Sequence, residues 1–150
     1  MGNSTVFSKL DLKDYFFQLP IDEESQNLTA FYTPNGIKKY TVLPQGIKTA
    51  SAEAQRLLTG LFAGYLGLFI SVFIDDLIVY SKSFTDHLND LRIVFDILRG
   101  ANLKASAKKC QFAYPSVEYL GYEISERGIK PTDNYIADIA KFPVRLIESS

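Results

Sequence analysis

The stretch LFISVFIDDLIVY, residues 68–80, sets two adjacent carboxylates between two apolar, β-rich runs. So short a polar interruption predicts a tight hairpin of strands 68–74 and 77–80, with Asp75 and Asp76 at its tip. Adjacent carboxylates near a core repel each other and lose solvation, which is costly unless a cation or hydrogen bonds compensate. The alternative is an ordinary exposed turn, because Asp is a common turn former.

Asp11 is a third acid in a comparable position, near the end of a short strand predicted from Val6 to Leu12. If this strand neighbours the hairpin, the three carboxylates converge as hard oxygen ligands that suit Mg²⁺ or Mn²⁺. Two such ions, about 3.5–4 Å apart, can activate an attacking hydroxyl and stabilise a leaving phosphate oxygen. The residues alone therefore indicate metal-assisted phosphoryl transfer.

The rest of the chain alternates short β-rich runs with amphipathic stretches, without a regular β-α-β rhythm. This pattern predicts an α+β fold, an antiparallel sheet with helices packed on one face. The predicted helices are a polar turn at 22–26 and longer helices from about Ser51 to Gly64, from the Ser83 cap to Gly100, and from Thr132 to Lys141. The further predicted strands are 29–33 and 37–42, joined by Pro34-Asn35-Gly36, and then 103–106, 117–120 and 122–124.

Composition fits one soluble domain of 150 residues, with 47% hydrophobic and 22% charged residues. A single cysteine, Cys110, cannot form an internal disulfide, so we expect an intracellular, reducing setting and no secretion. The net charge of −1 argues against a strongly basic nucleic-acid surface. The only histidine, His87, is expected at the surface or an edge, without a role in function.

The uncharged stretch from Leu57 to Ile74 approaches the length of a membrane span. Gly64 and Gly67 interrupt it, and its last residues are β-branched and aromatic. A helix, a turn and a buried strand therefore explain it better, and we expect no membrane partner.

Five motifs carry a family resemblance: LDLKDYFF at 10–17, LPQG at 43–46, FIDD at 73–76, ASAKKC at 105–110 and YLGY at 119–122. In this order they resemble successive motifs of reverse transcriptases, those of gypsy-type LTR retrotransposons and of retroviruses. The similarity runs from about Phe7 to Pro143. It implies a polymerase palm with part of the fingers, which extends a DNA strand by adding dNTPs to the 3′-hydroxyl of a DNA primer on an RNA or DNA template.

The resemblance also implies the catalytic residues. Asp11 and Asp75 match the family's principal metal carboxylates, and Asp76 matches a third, nearby acid. Together with the backbone of Leu12 they would hold two Mg²⁺ or Mn²⁺ ions. No side-chain nucleophile is required, because catalysis of this kind is mostly positioning and charge neutralisation.

The resemblance implies two further groups of residues, each with a plainer alternative. Phe16 would exclude a ribose 2′-hydroxyl from the nucleotide site, which Gln45, Gly46, Lys108 and Lys109 would complete. The alternatives are a core aromatic, a simple turn and a solvated basic loop. The hairpin Tyr119, Leu120, Gly121 and Tyr122 would position the primer end, unless it is an ordinary strand pair. Phe73, beside the primer, stands where the family usually has tyrosine, so a hydroxyl hydrogen bond is lost.

By the same resemblance, residues 1–150 form a single palm-type domain with a fingers-like insertion at about 21–45 and a tail at 144–150. Upstream fingers, thumb and RNase H are expected to be missing from this sequence and to act as partners from the remaining polyprotein. Much of the basic template-primer surface would belong to those parts. The location implied is the cytoplasm or virus-like particles.

The alternative to an active polymerase core is a truncated or domesticated palm-fold module that binds nucleic acid or protein without catalysis. The retained carboxylates favour the polymerase, because clustered acids are costly without a metal. Shortness at both ends of the match favours the module.

Overall fold

The computed structural model describes residues 2–141, and within them it has four α-helices and nine strands. The strands are β1 (Val6–Asp11), β2 (Phe31–Thr33), β3 (Gly36–Lys38), β4 (Ile70–Phe73), β5 (Asp76–Ser81), β6 (Gln111–Tyr114), β7 (Ser116–Tyr119), β8 (Tyr122–Ser125) and β9 (Gly128–Pro131). The α-helices are α1 (Glu23–Leu28), α2 (Ala50–Leu61), α3 (Phe84–Gly100) and α4 (Asp133–Ala140), and a 3₁₀ turn covers Tyr15–Gln18.

The central sheet has four antiparallel strands in the order β4-β5-β1-β6. Its two middle strands pair with Leu10 opposite Leu77 and Asp11 opposite Asp76. Because side chains alternate between the faces of a sheet, this register fixes which residues of β1 and β5 share a face.

One face of the central sheet carries the helices. Leu10, Leu77 and Val79 are fully buried there, in one cluster with Leu58 of α2 and Val94 of α3. Fully burying an aliphatic side chain contributes about 1.5–3 kcal/mol, so this face holds most of the packing energy. The α+β fold with helices on one face is confirmed.

The opposite face is covered by a second sheet, made of the antiparallel strands β7, β8 and β9. Phe7 and Tyr80 of the central sheet pack here with Val117 and Ile124 of the second sheet. Lys9, Asp11 and Asp76 alternate onto the same face, beyond the end of this second cluster.

Several elements agree with the sequence predictions. Strand β1, the tight hairpin of β4 and β5, and helix α3 with its Ser83 cap are confirmed. The Ser83 hydroxyl accepts a hydrogen bond from the backbone amide of Asp86, which satisfies one of the free donors of the first turn. Helix α2 ends at Leu61, before Gly64 and Gly67.

Two regions differ from the predictions. The strand predicted at 103–106 is wrong, because there only Ala105 forms an isolated bridge, with Leu12. The sequence analysis also missed β6 and β9, which are short and fully exposed strands without the alternation of apolar and polar residues that marks a half-buried strand. The tail at 144–150 and the end of the family resemblance at Pro143 lie outside the described residues.

The prediction for His87 was wrong as well. This side chain is fully buried in α3, where both ring nitrogens contact serine hydroxyls of the central sheet, those of Ser8 and Ser81. The sequence pattern could not show this, because the two serines come from strands that are distant in the chain. In residues 2–141 no helix is long and apolar enough to cross a membrane.

Candidate active site

Three acids meet at one end of the two middle strands. Asp11 is the last residue of β1 and lies opposite Asp76, the first residue of β5. Asp75 lies in the two-residue turn before β5, and its carbonyl accepts a 2.9 Å hydrogen bond from the Leu12 amide. The structure therefore brings together the acids that lie 64 and 65 positions apart in the sequence.

Two lysines compensate these acids. The Lys9 ammonium lies 3.7 Å from an Asp76 carboxylate oxygen, and that of Lys109 lies 3.6 Å from an Asp11 oxygen. Burial raises the pKa of Asp76, the nearby charges of Asp75 and Asp11 raise it further, and Lys9 opposes the rise. Negative charge is thus concentrated here at a cost in solvation, which an approaching cation would relieve.

The donor chemistry of the acids suits a hard divalent cation, since carboxylate oxygens are the ligands such ions prefer. Among residues 2–141, however, no three His, Cys, Asp or Glu side chains are gathered into a metal-binding group. In this arrangement Lys9 and Lys109 balance the charge of two of the acids. The residue types suit Mg²⁺ or Mn²⁺. In this structure, lysine ammonium groups compensate the charges of Asp11 and Asp76.

The turn that carries Asp75 is held in an unusual conformation. Ile74 has a φ of 54°, in the left-handed region that β-branched residues rarely adopt. Its amide donates a 2.5 Å hydrogen bond to Oε1 of Gln55 in α2, and Nε2 of Gln55 donates to the Val72 carbonyl at 3.2 Å. Gln55 therefore connects α2 to the end of β4 and to the first residue of the turn, and it offsets the backbone strain at Ile74.

The segment after α3 is tied to the end of β1 by backbone bonds. The Lys13 amide donates to the Lys104 carbonyl, and the Ser106 amide donates to the Asp11 carbonyl, at 2.9 and 2.8 Å. The side chain of Gln18 reinforces this link, because it accepts from the Lys104 amide and donates to the Lys104 and Lys13 carbonyls. These bonds bring the exposed lysines at 13, 104, 108 and 109 to the end of the sheet that carries the acids.

The aromatic residues after Asp11 divide between core and surface. Tyr15 is a core residue whose hydroxyl donates to the Ala54 carbonyl at 2.8 Å. Burial raises the pKa of this phenol. Phe16 is half-buried against the helix-face cluster, and Phe17 is exposed. Phe16 thus keeps a partly accessible ring, five positions after Asp11 in the sequence.

Gln45 and Gly46 are exposed in the loop before α2. Gly46 has a φ of 90°, a conformation that a residue with a Cβ rarely adopts, so glycine is required for the shape of the loop. The loop therefore presents both backbone and amide groups to solvent at this place.

Phe73 is 44% exposed and pairs with Asp76 across the hairpin. Tyr119 is buried in the second sheet, and its hydroxyl finds no hydrogen-bond partner within the described residues. Its pKa rises to about 12, mainly through burial; the nearby Ser71 side chain opposes the rise, and the charge of Asp76 adds a smaller contribution to it. This hydroxyl therefore lies within electrostatic reach of the acids.

The hairpin between β7 and β8 turns at Leu120 and Gly121, both with positive φ. Such a two-residue turn matches the twist of the flanking strands. A Cβ on Gly121 would come within 2.8 Å of the Tyr135 ring in α4, and Thr132 bonds to the Gly121 carbonyl through its amide and its hydroxyl. The turn is therefore anchored to α4.

Sequence reasoning missed Lys9, Gln18 and Gln55. A cation two positions before Asp11 on the same strand face was a readable signal for Lys9. For the two glutamines no sequence signal existed, because their partners are backbone groups of distant segments.

The sequence profile of the reverse transcriptase (RNA-dependent DNA polymerase) family matches residues 1–124. The chain is 35% identical over 144 residues to the retrovirus-related Pol polyprotein from transposon 297 of Drosophila melanogaster, covering 96% of this chain and 14% of that protein. It is 32% identical over 139 residues to the transposon Tf2-3 polyprotein of Schizosaccharomyces pombe, covering 93% of this chain and 10% of that protein. The chain thus spans a small part of the curated relatives.

The fold is similar to that of the foamy viral protease-reverse transcriptase. The form solved with double-stranded DNA aligns with a TM-score of 0.82 and 30% identity, covering 93% of this chain and 24% of that one. The form solved with an RNA/DNA hybrid aligns with a TM-score of 0.81 and 29% identity, covering 95% and 19%. The architecture is therefore that of a polymerase palm.

This chain belongs to the reverse transcriptase family. The resemblance to the enzymes of LTR retrotransposons and retroviruses, drawn from five short motifs, is confirmed.

The geometry of the turn gives a first prediction. Replacing Gln55 by Leu leaves the Ile74 amide and the Val72 carbonyl without their partner, which we expect to cost about 1–3 kcal/mol in the free energy of unfolding. Hydrogen exchange at the Ile74 amide and the melting temperature measure this.

Gln55→Glu is the matched control, because it keeps an acceptor for Ile74 and loses only the Nε2 donor to Val72 and Thr59. It should retain slow exchange at the Ile74 amide. Exchange at the Ile74 amide that is as slow in Gln55→Leu as in the unaltered chain would show that Gln55 does not hold the turn.

Proposed function

We propose that this chain is the palm segment of an RNA-directed DNA polymerase that adds dNTPs to the 3′-hydroxyl of a DNA primer on an RNA or DNA template. The observation that carries the proposal is the pairing of Asp11 with Asp76 across β1 and β5, with Asp75 in the adjoining turn. Membership of the reverse transcriptase family supports it.

In this proposal Asp11, Asp75, Asp76 and the backbone of Leu12 hold two Mg²⁺ or Mn²⁺ ions. Bound divalent ions supply activation of an attacking hydroxyl and charge neutralisation at a leaving phosphate oxygen. The chain's own part is positioning. The β1–β5 pairing fixes Asp11 against Asp76, and the hydrogen bond from the Leu12 amide fixes the Asp75 backbone.

Phe16, Gln45, Gly46, Lys108 and Lys109 form the proposed dNTP site. Phe16 offers a half-buried ring, held by the core, which would leave no room for a ribose 2′-hydroxyl in a bound nucleotide. Lys109 already lies beside Asp11, where its charge would act on the phosphates of a nucleotide. The exposed amide of Gln45 and the open backbone of Gly46 would contact the nucleotide from the loop before α2.

Phe73 and the hairpin Tyr119, Leu120, Gly121 and Tyr122 form the proposed primer site. The hairpin is anchored on α4, and Tyr119 lies within electrostatic reach of Asp76. Structures similar to this chain were solved with double-stranded DNA and with an RNA/DNA hybrid. The lysines gathered at the end of β1 would supply local positive charge for such a partner despite the net charge of −1.

The proposed organisation is a single palm-type domain over 1–150, in which about 21–45, with α1, β2 and β3, is a fingers-like insertion. The curated relatives are much longer polyproteins. We therefore propose that further polymerase parts of such a polyprotein, fingers, thumb and RNase H, act with this segment, inside the cell or in virus-like particles.

Primer extension tests the function. The 150-residue chain at high concentration, with an RNA template, a DNA primer and Mn²⁺, should extend the primer, whereas the Asp75→Asn/Asp76→Asn variant should not. Asp96→Asn is the matched control, because this exposed acid pairs only with Arg99 on the surface of α3. Extension by the double variant would disprove the role of the acids. Absence of extension in every form would favour a palm-fold module that binds without catalysis.

The metal site is tested by stability. Mn²⁺ should raise the melting temperature of the unaltered chain, because a ligand of the native state stabilises it by mass action. Asp75→Asn should reduce this rise, whereas Asp14→Asn, at an exposed acid just after β1, should leave it unchanged. Equal shifts in all three proteins would rule out a shared metal site at these acids.

Sugar selection is tested at the aromatic position. Phe16→Val opens space near the proposed ribose and should increase rNTP incorporation relative to dNTP, measured in the same extension assay. Phe17→Val is the matched control, because its side chain is exposed. An unchanged dNTP preference in a folded Phe16→Val protein would remove Phe16 from the gate.

A further inference from the structure

His87 is the most deeply buried titratable side chain that the proposed mechanism does not use. It lies in the first turn of α3 and has no exposed surface. Its Nε2 is 2.6 Å from the hydroxyl of Ser8 in β1, and its Nδ1 is 2.9 Å from the hydroxyl of Ser81 at the end of β5. The ring therefore joins the two middle strands of the central sheet to α3.

For a neutral ring, counting protons fixes the direction of every bond in this network. Ser81 donates its single hydroxyl proton to Asp90 at 2.6 Å, so it must accept from Nδ1–H of His87. The Nε2 of the neutral ring is then an acceptor, and it takes the proton of the Ser8 hydroxyl. The Ser8 oxygen in turn accepts from the Ala113 amide at 2.9 Å.

Ala113 marks an irregularity in the sheet. Phe7 pairs with Tyr114 and Lys9 pairs with Gln111, so β6 has one more residue than β1 over this interval. The extra residue makes a β-bulge, and Ala113 has a left-handed φ of 57°. A bulge leaves one backbone amide without a partner in the strand ladder. Here that amide belongs to Ala113, and it donates to the Ser8 hydroxyl oxygen.

The bulge follows the lysine turn directly. The amides of Lys109 and Cys110 both donate to the Ser106 carbonyl, and Ser106 is bonded to Asp11. Only Cys110 separates Lys109 from the first residue of β6. The register of β6 against β1 therefore determines where the Lys109 ammonium lies relative to Asp11.

We infer that His87 is a positioning residue: through Ser8 it fixes the bulge of β6, and through β6 it holds the Lys108–Lys109 turn beside Asp11. The effect of this turn on a nucleotide rests on the proposed function. The mechanical link from His87 to the turn does not.

The Ser8–His87 pair has no catalytic role, because solvent and substrate have no access to it. Both side chains have no exposed surface, and Ser8 lies in the middle of a central strand between Phe7 and Lys9. No substrate can reach the hydroxyl, so the pair acts on the structure.

The network requires an uncharged ring. Protonation would turn Nε2 into a donor, which leaves the Ser8 proton without its acceptor. Burial lowers the pKa of His87, and the Asp90 carboxylate, one turn further along α3, partly opposes this. The groups that β1, β5 and β6 direct at the ring and at Ser8 are the uncharged hydroxyls of Ser8 and Ser81 and the Ala113 amide. The carboxylate of Asp86, the residue before His87, accepts a hydrogen bond from the Ser83 hydroxyl.

The first test is nitrogen NMR of the imidazole, which needs no assignment because His87 is the only histidine. We expect the proton on Nδ1 at neutral pH, and a ring that stays neutral as the pH falls below the ordinary histidine value of about 6.5. A proton on Nε2, or protonation at the ordinary value, would overturn the network.

The second test follows amide hydrogen exchange in two variants. His87→Gln keeps an acceptor at the ε position for Ser8, whereas the shorter His87→Asn does not reach it. We expect exchange at the Ala113, Lys109 and Cys110 amides to be about tenfold faster in His87→Asn, as for the loss of one buried hydrogen bond, and close to the unaltered chain in His87→Gln. The amide of the buried Phe62, the residue that follows α2, donates to the Leu58 carbonyl and is the internal reference for global unfolding.

Each outcome decides the inference. Faster exchange at Ala113 with unchanged Lys109 and Cys110 would show that the network ends at the bulge and would overturn positioning of the turn. Equal exchange rates in His87→Asn and His87→Gln would show that the acceptor at the ε position is irrelevant. If His87→Asn unfolds, rapid exchange at the Phe62 amide will reveal it. Ser8→Ala then replaces it in the comparison, because it removes the hydroxyl that accepts from the Ala113 amide. All these readouts remain valid if the chain extends no primer, so failure of the proposed function is distinguishable from failure here.

Discussion

The antiparallel pairing of β1 with β5 is the constraint on which the site depends. It sets Asp11 opposite Asp76 at one end of the sheet, and alternation carries Lys9 to the same face. A slip of one residue would turn Asp11 toward the helices and Leu10 toward the acids. The hydrophobic helix face, with Leu10 and Leu77 fully buried, therefore stabilises the register that the acids require.

The two middle strands of the sheet carry two groups of polar side chains that differ in charge. At one end, carboxylates are concentrated and compensated by the ammonium groups of Lys9 and Lys109. Away from this end, His87, Ser8 and Ser81 form a buried chain of uncharged hydrogen-bonding groups that ends on the Asp90 carboxylate. The charged groups are thus separate from the buried network that joins the two middle strands to α3.

Charge on this protein is better described by its distribution than by its sum. The net charge of −1 gives no sign of a phosphate-binding surface. Backbone bonds between the end of β1 and the segment after α3 nevertheless gather lysines from positions 13, 104, 108 and 109 near the acids. The electrostatic field at the acids depends mainly on charges this close to them, because salt screens charges that lie farther away.

The sequence by itself determined what depends on local pattern. The short polar interruption between two apolar runs at FIDD predicted the hairpin and the position of Asp75 and Asp76, and the apolar spacing with the Ser83 cap predicted α3. Five ordered motifs were enough for the family. Contacts between distant segments were decided only by the tertiary structure, because a single hydroxyl or amide gives no periodic signal. For this reason the sequence placed His87 at the surface, missed β6, and gave no hint that Gln55 supports the strained turn at Ile74.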